Sequence, residues 1–308
     1  MVGAPSSTAV RILAFSVALG LAVTACGAAA EPVRPAVKAA IVSLAEGSAD
    51  LEWAEAKATA ECMAGAGFRY PPYEVFQPSP GATGRFGGFQ SQLTVEEAQA
   101  HGYEGRITMK GEARLDPSAA LNAYVSTLTE ADRARYWQLL NGQDSPTVSL
   151  RLPDGAEVAA SSRGCVAQAR KEVYGSVLNY LRLFYFPQQV NQFGEQAESD
   201  PAVRRALERY ASCMRGAGYD VGSPADATRL AQERFGSTRA PGSPPTDAER
   251  AMGVADARCQ AASSVHRALD AALISAASAW LNQHEGEILA LADIRRRAMV
   301  RAKRILES

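Results

Sequence analysis

Apolar residues recur at three- and four-residue steps along most of this chain, and stretches that alternate apolar with polar are scarce, so the pattern predicts an all-α protein. Periodic segments cover residues 36–45 and 51–62, and residues 130–141 carry Tyr136, Leu139 and Leu140 on one face. A further helix is expected to open near 153–157, pass through Cys165 and continue to Phe186 on Val166, Val173, Val177, Leu178 and Leu181, with Pro187 as its stop. A long one should run from Thr246 past Trp280, its face formed by Val265, Leu269, Leu273, Ala276 and Trp280, and residues 281–306 keep the same period.

Local chemistry marks where several of these helices begin and end. Thr94-Val95-Glu96-Glu97 has the form of a capping box closed by Gly102, Thr246 with Glu249 has the same form, and Thr129 and Gly142 bracket the 130–141 segment. Asp116-Pro117 and Asp200-Pro201 place proline at the tolerated first helical position. Pro-, Gly- and Ser-rich stretches at 69–93 and 236–245 read as long loops, 143–152 as a shorter one, and the polar 188–199 as a hinge.

The heptapeptide Cys62-Met63-Ala64-Gly65-Ala66-Gly67-Phe68 returns as Cys213-Met214-Arg215-Gly216-Ala217-Gly218-Tyr219, alike at five of seven positions. Each copy ends a periodic helix. With Gly67 or Gly218 as the left-handed residue just past the helix, a Schellman termination sets the following aromatic against the methionine five residues back, which predicts Met63 packed with Phe68 and Met214 with Tyr219. The second cysteine of each unit also has a matched lead-in, Pro153 to Glu157 before Cys165 and Pro245 to Glu249 before Cys259. The economical pairing is therefore Cys62 with Cys165 and Cys213 with Cys259; pairing crossed between the units is the alternative. The expected organisation is a leader over 1–25, a tether with a first helix over 26–50, one helical unit over 51–198 and a related one over 199–308.

Composition adds an address. An apolar run over 12–23, too short to span a bilayer and preceded by Arg11 alone, ends in Val23-Thr24-Ala25-Cys26, the form of a lipoprotein signal peptide whose cysteine becomes the lipidation site. Ala28-Ala29-Ala30 offers a competing simple cleavage site that would release a soluble product beginning at Glu31. Loss of residues 1–25 leaves 31 basic residues against 33 acidic ones, a balance that implies no nucleic-acid partner. Four cysteines then remain, an even number suited to two disulfides outside the cytoplasm. Nearly half the residues are apolar, enough to bury a core and to exclude disorder of the whole chain. Only five of the 32 basic residues are lysine, which together with the abundant alanine and glycine reflects GC-rich coding.

Candidates for chemistry are few. The chain has three histidines, His101, His266 and His284; His284 is followed by Glu285 and Glu287, but no metal-binding, nucleophile-elbow or phosphate-loop motif accompanies any of them, and neither a metal nor a cofactor is expected. Glycines 84–88 lead into no helix start of the phosphate-cradling kind. A basic run, Arg295 to Arg304, closes the last helix, where it complements the dipole and could also face anionic lipid. Tyr70, Tyr73, Phe76, Phe86 and Phe89 cluster in the 69–93 loop, and aromatic residues in a loop suit recognition.

The order of these motifs resembles the uncharacterised secreted lipoproteins of actinobacteria, in which a lipobox precedes two units of Cys-Met-x-x-x-Gly-aromatic and a later cysteine. The stretch from Glu97 to His101-Gly102-Tyr103, Leu128 to Asp132 with Tyr136 and Gly142, Gly164-Cys165 with Val173-Tyr174-Gly175, Asp200 to Val203, and Ala255 to Cys259 match as they stand, up to about Glu287. Tyr210 stands upstream of the second Cys-Met where that family usually carries an aromatic, often tryptophan. The resemblance implies address, disulfides and helical architecture and no activity. The expected function is a lipid-anchored, non-enzymatic binding or structural protein on the outer face of the cell membrane, with membrane lipid and a cell-wall component or envelope protein as partners. The alternative is a hydrolase of envelope polymers using a carboxylate pair such as Glu97 and Asp132.

Overall fold

The computed structural model describes residues 32–45, 48–75, 91–110, 117–152, 155–240 and 243–308. Cys26, the leader before it, and Phe76, Phe86 and Phe89 lie outside the described residues. Residues 31–308 form one compact unit. In chain order its first half contains helices α1 Pro35–Ala45, α2 Ser48–Gly65, α3 Pro71–Val75, α4 Val95–His101, α5 Pro117–Ser126 and α6 Glu130–Asn141, then a hairpin of β1 Thr147–Arg151 and β2 Glu157–Ser161. There follow α7 Cys165–Tyr174, α8 Val177–Asn191, α9 Gly194–Glu198, α10 Pro201–Gly216, α11 Pro224–Phe235, α12 Asp247–Ser263, α13 Val265–Ala276, α14 Ser278–Gln283 and α15 Glu285–Glu307. The protein is thus all-α apart from one small hairpin.

Both copies of the repeat end as Schellman motifs. Phe68 N–H donates to Met63 C=O at 3.0 Å and Gly67 N–H to Ala64 C=O at 2.9 Å; Tyr219 N–H donates to Met214 C=O at 2.9 Å and Gly218 N–H to Arg215 C=O at 3.0 Å. The pattern needs a left-handed residue, and Gly67 and Gly218 supply it at φ 85° and 90°. Met63 and Met214 are fully buried, each in a cluster that also holds its aromatic partner. Disulfides join Cys62 to Cys165 and Cys213 to Cys259, with Cα–Cα distances of 5.5 and 5.6 Å, within the ordinary range for a cystine.

Helix starts follow the expected caps. Thr94 and Glu97 form a complete capping box, and Thr129 and Asp200 accept N–H bonds from their own first turns. Thr246 accepts the Glu249 N–H, but the Glu249 carboxylate does not return to close the box; it is drawn across to Tyr103 N–H (3.0 Å) and Arg239 (2.6 Å) instead.

Four expectations are corrected. The 143–157 stretch is not a loop leading into a helix: Thr147 to Arg151 pairs antiparallel with Glu157 to Ser161, each alternating in exposure, and the helix begins only at Cys165. That helix does not run on to Phe186, because the chain turns left-handed at Gly175 and Ser176 caps α8 by accepting the Asn179 N–H at 3.0 Å. Pro187 stops nothing: α8 continues through it to Asn191, the ring merely removing the donor that Leu183 C=O would otherwise receive, and 188–199 holds buried Val190 and Ala197 rather than a hinge. The long helix after Thr246 is divided at Ser264 (φ 55°), Ala277 and His284 into α12, α13, α14 and α15.

The residues of the two sequence units interleave. α15, from the second, packs on α1, α2, α7 and α8; α4, from the first, packs on α12. Two buried polar clusters anchor α4 and the turn after it. Asp256 accepts Tyr103 OH (2.9 Å), Tyr210 OH (2.7 Å) and Gln260 Nε2 (2.8 Å), while Arg239 joins fully buried Glu249 to Glu104 (2.7 Å). Among the described residues no helix is long and apolar enough to cross a membrane.

Candidate ligand-binding cleft

Helices α2 and α7 are bound at one end by the Cys62–Cys165 cystine and run antiparallel away from it. Glu55 lies seven residues before Cys62, two turns along the same face of α2. Arg170 lies five residues after Cys165, and its Nε donates to Glu55 Oε1 at 3.0 Å. The cystine therefore sets the register of this pair. α8, packed on α7, lays the Tyr180 ring under the Arg170 guanidinium at 3.7 Å. Tyr174 meets Tyr180 edge-on and Phe184 stacks on it, with centroid separations of 5.3 and 5.5 Å.

This assembly forms the floor of a cleft of about 790 Å³. Tyr70, Leu121 and, from α6, Trp137 and Leu140 also line it, as do Asn191 and Arg295, and Leu44, Leu51, Leu183, Phe184 and Pro187 add apolar surface. The volume and the mixture of apolar wall with a few polar groups suit a small organic ligand.

The electrostatics centre on Glu55. Burial pushes its carboxyl above the ordinary range, while the Arg170 charge and hydrogen bonds from Arg170 and Tyr174 pull it back. Glu52, one turn earlier on the same face, stands at the rim, exposed overall; its carboxyl is also raised, first by desolvation and then by the Glu55 charge. The phenols of Tyr70, Tyr174 and Tyr180 are raised, in each case mainly by burial and further by the negative charge on Glu55.

Of the aromatic residues expected to bind, Tyr70 reaches this cleft, and Tyr73 is half-buried in α3 and does not line it. Glu97 and Asp132 are not brought together. Glu97 accepts the Thr94 N–H at 3.0 Å and Asp132 the Thr129 hydroxyl at 2.8 Å, so both serve helix starts on different parts of the body. His284 Nδ1 lies 2.8 Å from Trp280 C=O and its ring stacks on Trp280 at 4.3 Å, while Glu285 pairs with Arg34. His266 Nε2 lies 2.9 Å from Gln260 Oε1 in the core. Among the described residues no three His, Cys, Asp or Glu side chains are grouped to hold a metal. In the C-terminal basic run, Arg296 and Arg297 pair with Asp293, Lys303 with Glu307, and Arg301 Nε donates to Val173 C=O at 2.8 Å.

Sequence reasoning missed Glu52, Glu55, Arg170, Tyr174 and Tyr180 as site residues. One signal existed: two carboxylates three residues apart stand on a helix face otherwise formed by Leu51, Ala54 and Ala58. No known family matches the chain, no curated protein matches its sequence and no solved structure matches its fold.

Proposed function

We propose that this is a lipid-anchored binding protein of the cell envelope, exposed outside the cytoplasmic membrane and using the cleft between α2, α6, α7 and α8 to hold a small ligand. The cleft's charged and aromatic floor carries this proposal. It is pre-formed, held by a covalent clamp and open to solvent, whereas a purely structural helix pair has no need of a cleft this large. The two cystines support an oxidising compartment, and the Val23 to Cys26 lipobox supports the anchor.

The hydrolase alternative is disfavoured by where the carboxylates stand. Glycosidases set two carboxyl groups on opposite sides of the scissile bond, whereas Glu52 and Glu55 share one face of one helix and Glu55 is tied to Arg170.

Two experiments test the proposal. Intact mass of membrane-extracted, unreduced protein should show a diacylglyceryl group on Cys26 and no free thiols; a soluble chain beginning at Glu31 would remove the anchor. Full-length protein in lipid nanodiscs, exposed to an extract of envelope small molecules and examined by native mass spectrometry, should retain ligand. Ala56→Trp, which fills the cleft, should abolish retention at unchanged thermal stability. Equal retention by both proteins, or none by either, refutes the binding function.

A further inference from the structure

Resting on that binding function, we propose the ligand class: the cleft selects an organic cation, a protonated amine or quaternary ammonium attached to an apolar or planar body, with Glu52 as its counter-charge. Three features of the site converge on this.

The first is an unbalanced charge. Glu55 has its cation in Arg170, whereas Glu52 makes no ion pair or hydrogen bond with any described residue. Arg295, on α15, also lines the cleft. The α2–α7 floor thus carries two carboxylates against one guanidinium, and the Tyr174 phenol responds to both negative charges. A ligand bringing a positive charge to the rim would complete the pair, while an anionic ligand would face Glu52.

The second is the aromatic lining. Tyr70, Trp137, Tyr174, Tyr180 and Phe184 all reach the cleft, and π faces attract cations. The floor already holds one cation this way, the Arg170 guanidinium over Tyr180.

The third is the wall beside Glu52. Leu51, Leu183 and Phe184 give an apolar surface, and Phe184, stacked on Tyr180 on one side, is still 54% exposed. An ammonium group alone would leave this surface wet; an attached apolar or aromatic body covers it.

The test uses full-length protein labelled with 5-fluorotryptophan in detergent micelles, following the ¹⁹F resonance that disappears in Trp137→Phe. The probes are 2-phenylethylammonium, benzyltrimethylammonium, the neutral isostere 2-phenylethanol and the anionic isostere 3-phenylpropionate. Both cations should shift the Trp137 resonance saturably and the two isosteres much less. Glu52→Gln should weaken cation binding about tenfold, as expected for loss of a charge-assisted contact. Glu61→Gln, exposed on the same helix and away from the cleft, should leave binding unchanged. Equal binding of alcohol or carboxylate, indifference to Glu52→Gln, or no shift with any probe overturns the ligand class. The nanodisc experiment separates the two claims: an anionic or neutral molecule retained by the parent protein and lost in Ala56→Trp refutes the cation and leaves the binding function standing, and no retained molecule refutes both.

Discussion

Gly102→Ala should be among the most damaging single-methyl additions in this protein. Gly102 closes α4 at φ 63°, ψ −123°, outside the left-handed helical region and open essentially to glycine alone, where a side chain costs about 1–3 kcal/mol of backbone strain. A Cβ there would stand 2.8 Å from Glu249 Cδ, closer still to its Oε1, and 3.0 Å from Pro245 Cβ. Glu249 cannot simply swing away: it is fully buried and its Oε1 accepts both the Tyr103 N–H and the Arg239 guanidinium. Displacing it would sacrifice a buried charge-assisted hydrogen bond worth about 1.5–3 kcal/mol. Together these cost about 3–6 kcal/mol. Gly67→Ala supplies the control, since its φ is also positive at 85° but open space surrounds the new methyl, so only the strain of about 1–2 kcal/mol remains. Urea unfolding of the unreduced protein, with the m-value checked for constancy, measures both. The decisive comparison is Gly102→Ala in a Glu249→Ala background, where the collision with Glu249 is gone, the tight approach to Pro245 remains, and the added methyl should cost markedly less than in the parent. Strict additivity of the two substitutions, or equal losses for Gly102→Ala and Gly67→Ala, would refute the collision argument.

Other outcomes follow from the same geometry. Replacing Cys62 and Cys165 together by alanine should cost about 4.7 kcal/mol and the Cys213, Cys259 pair about 4.0 kcal/mol by the chain-entropy relation for loops of 103 and 46 residues, measured by urea unfolding; only the first replacement should also weaken ligand retention, because only that cystine sets the Glu55–Arg170 register. Tyr103→Phe and Tyr210→Phe each remove one donor from buried Asp256 and should each cost about 1.5–3 kcal/mol, with coupling in the double variant that a thermodynamic cycle would expose. Burial holds the Asp256 carboxyl above its ordinary 3.8 despite donors from Tyr210, Gln260 and Tyr103 and the Arg106 charge. The native state therefore binds that proton more tightly than the unfolded chain, and the stability of the parent relative to Asp256→Asn should fall as pH rises from 3.8 through the raised native value. A difference that grows with pH in unfolding experiments would contradict the burial of that charge.

Much of the fold could be read from the sequence where one short stretch both encodes and satisfies its own geometry. The Schellman ends at Gly67 and Gly218, the Thr94 box and the Asp200 cap each depend on fewer than seven residues, and the repeat carried the disulfide pairing. Signals were also available and misweighed. Thr147-Val148-Ser149-Leu150-Arg151 alternates polar with apolar, and Gly155 marks a turn, yet the likeness of Pro153 to Glu157 to the Pro245 to Glu249 helix start outweighs these signals when the sequence is read alone. Ser223-Pro224 with Asp226 three residues on announces α11, which period alone did not separate from its surroundings. Ser264 carried no such signal: at φ 55° it takes a left-handed conformation that serine rarely adopts and that no residue around it announces. The cleft was illegible for a different reason. Glu55, Arg170 and Tyr180 come from α2, α7 and α8, more than a hundred residues apart at the extremes, and only tertiary packing makes them neighbours.

The pairing of the first helix with the last also sets where the chain comes in and where it leaves. Arg34, just before α1, pairs with Glu285 at the beginning of α15, while Lys57 Nζ donates to Ile305 C=O at that helix's far end. The 20-residue step from Glu285 to Ile305 separates these points by about 30 Å along α15. A fluorophore or fusion partner attached after Ser308 would thus ride at the far end of α15 and leave the Arg34 end unencumbered.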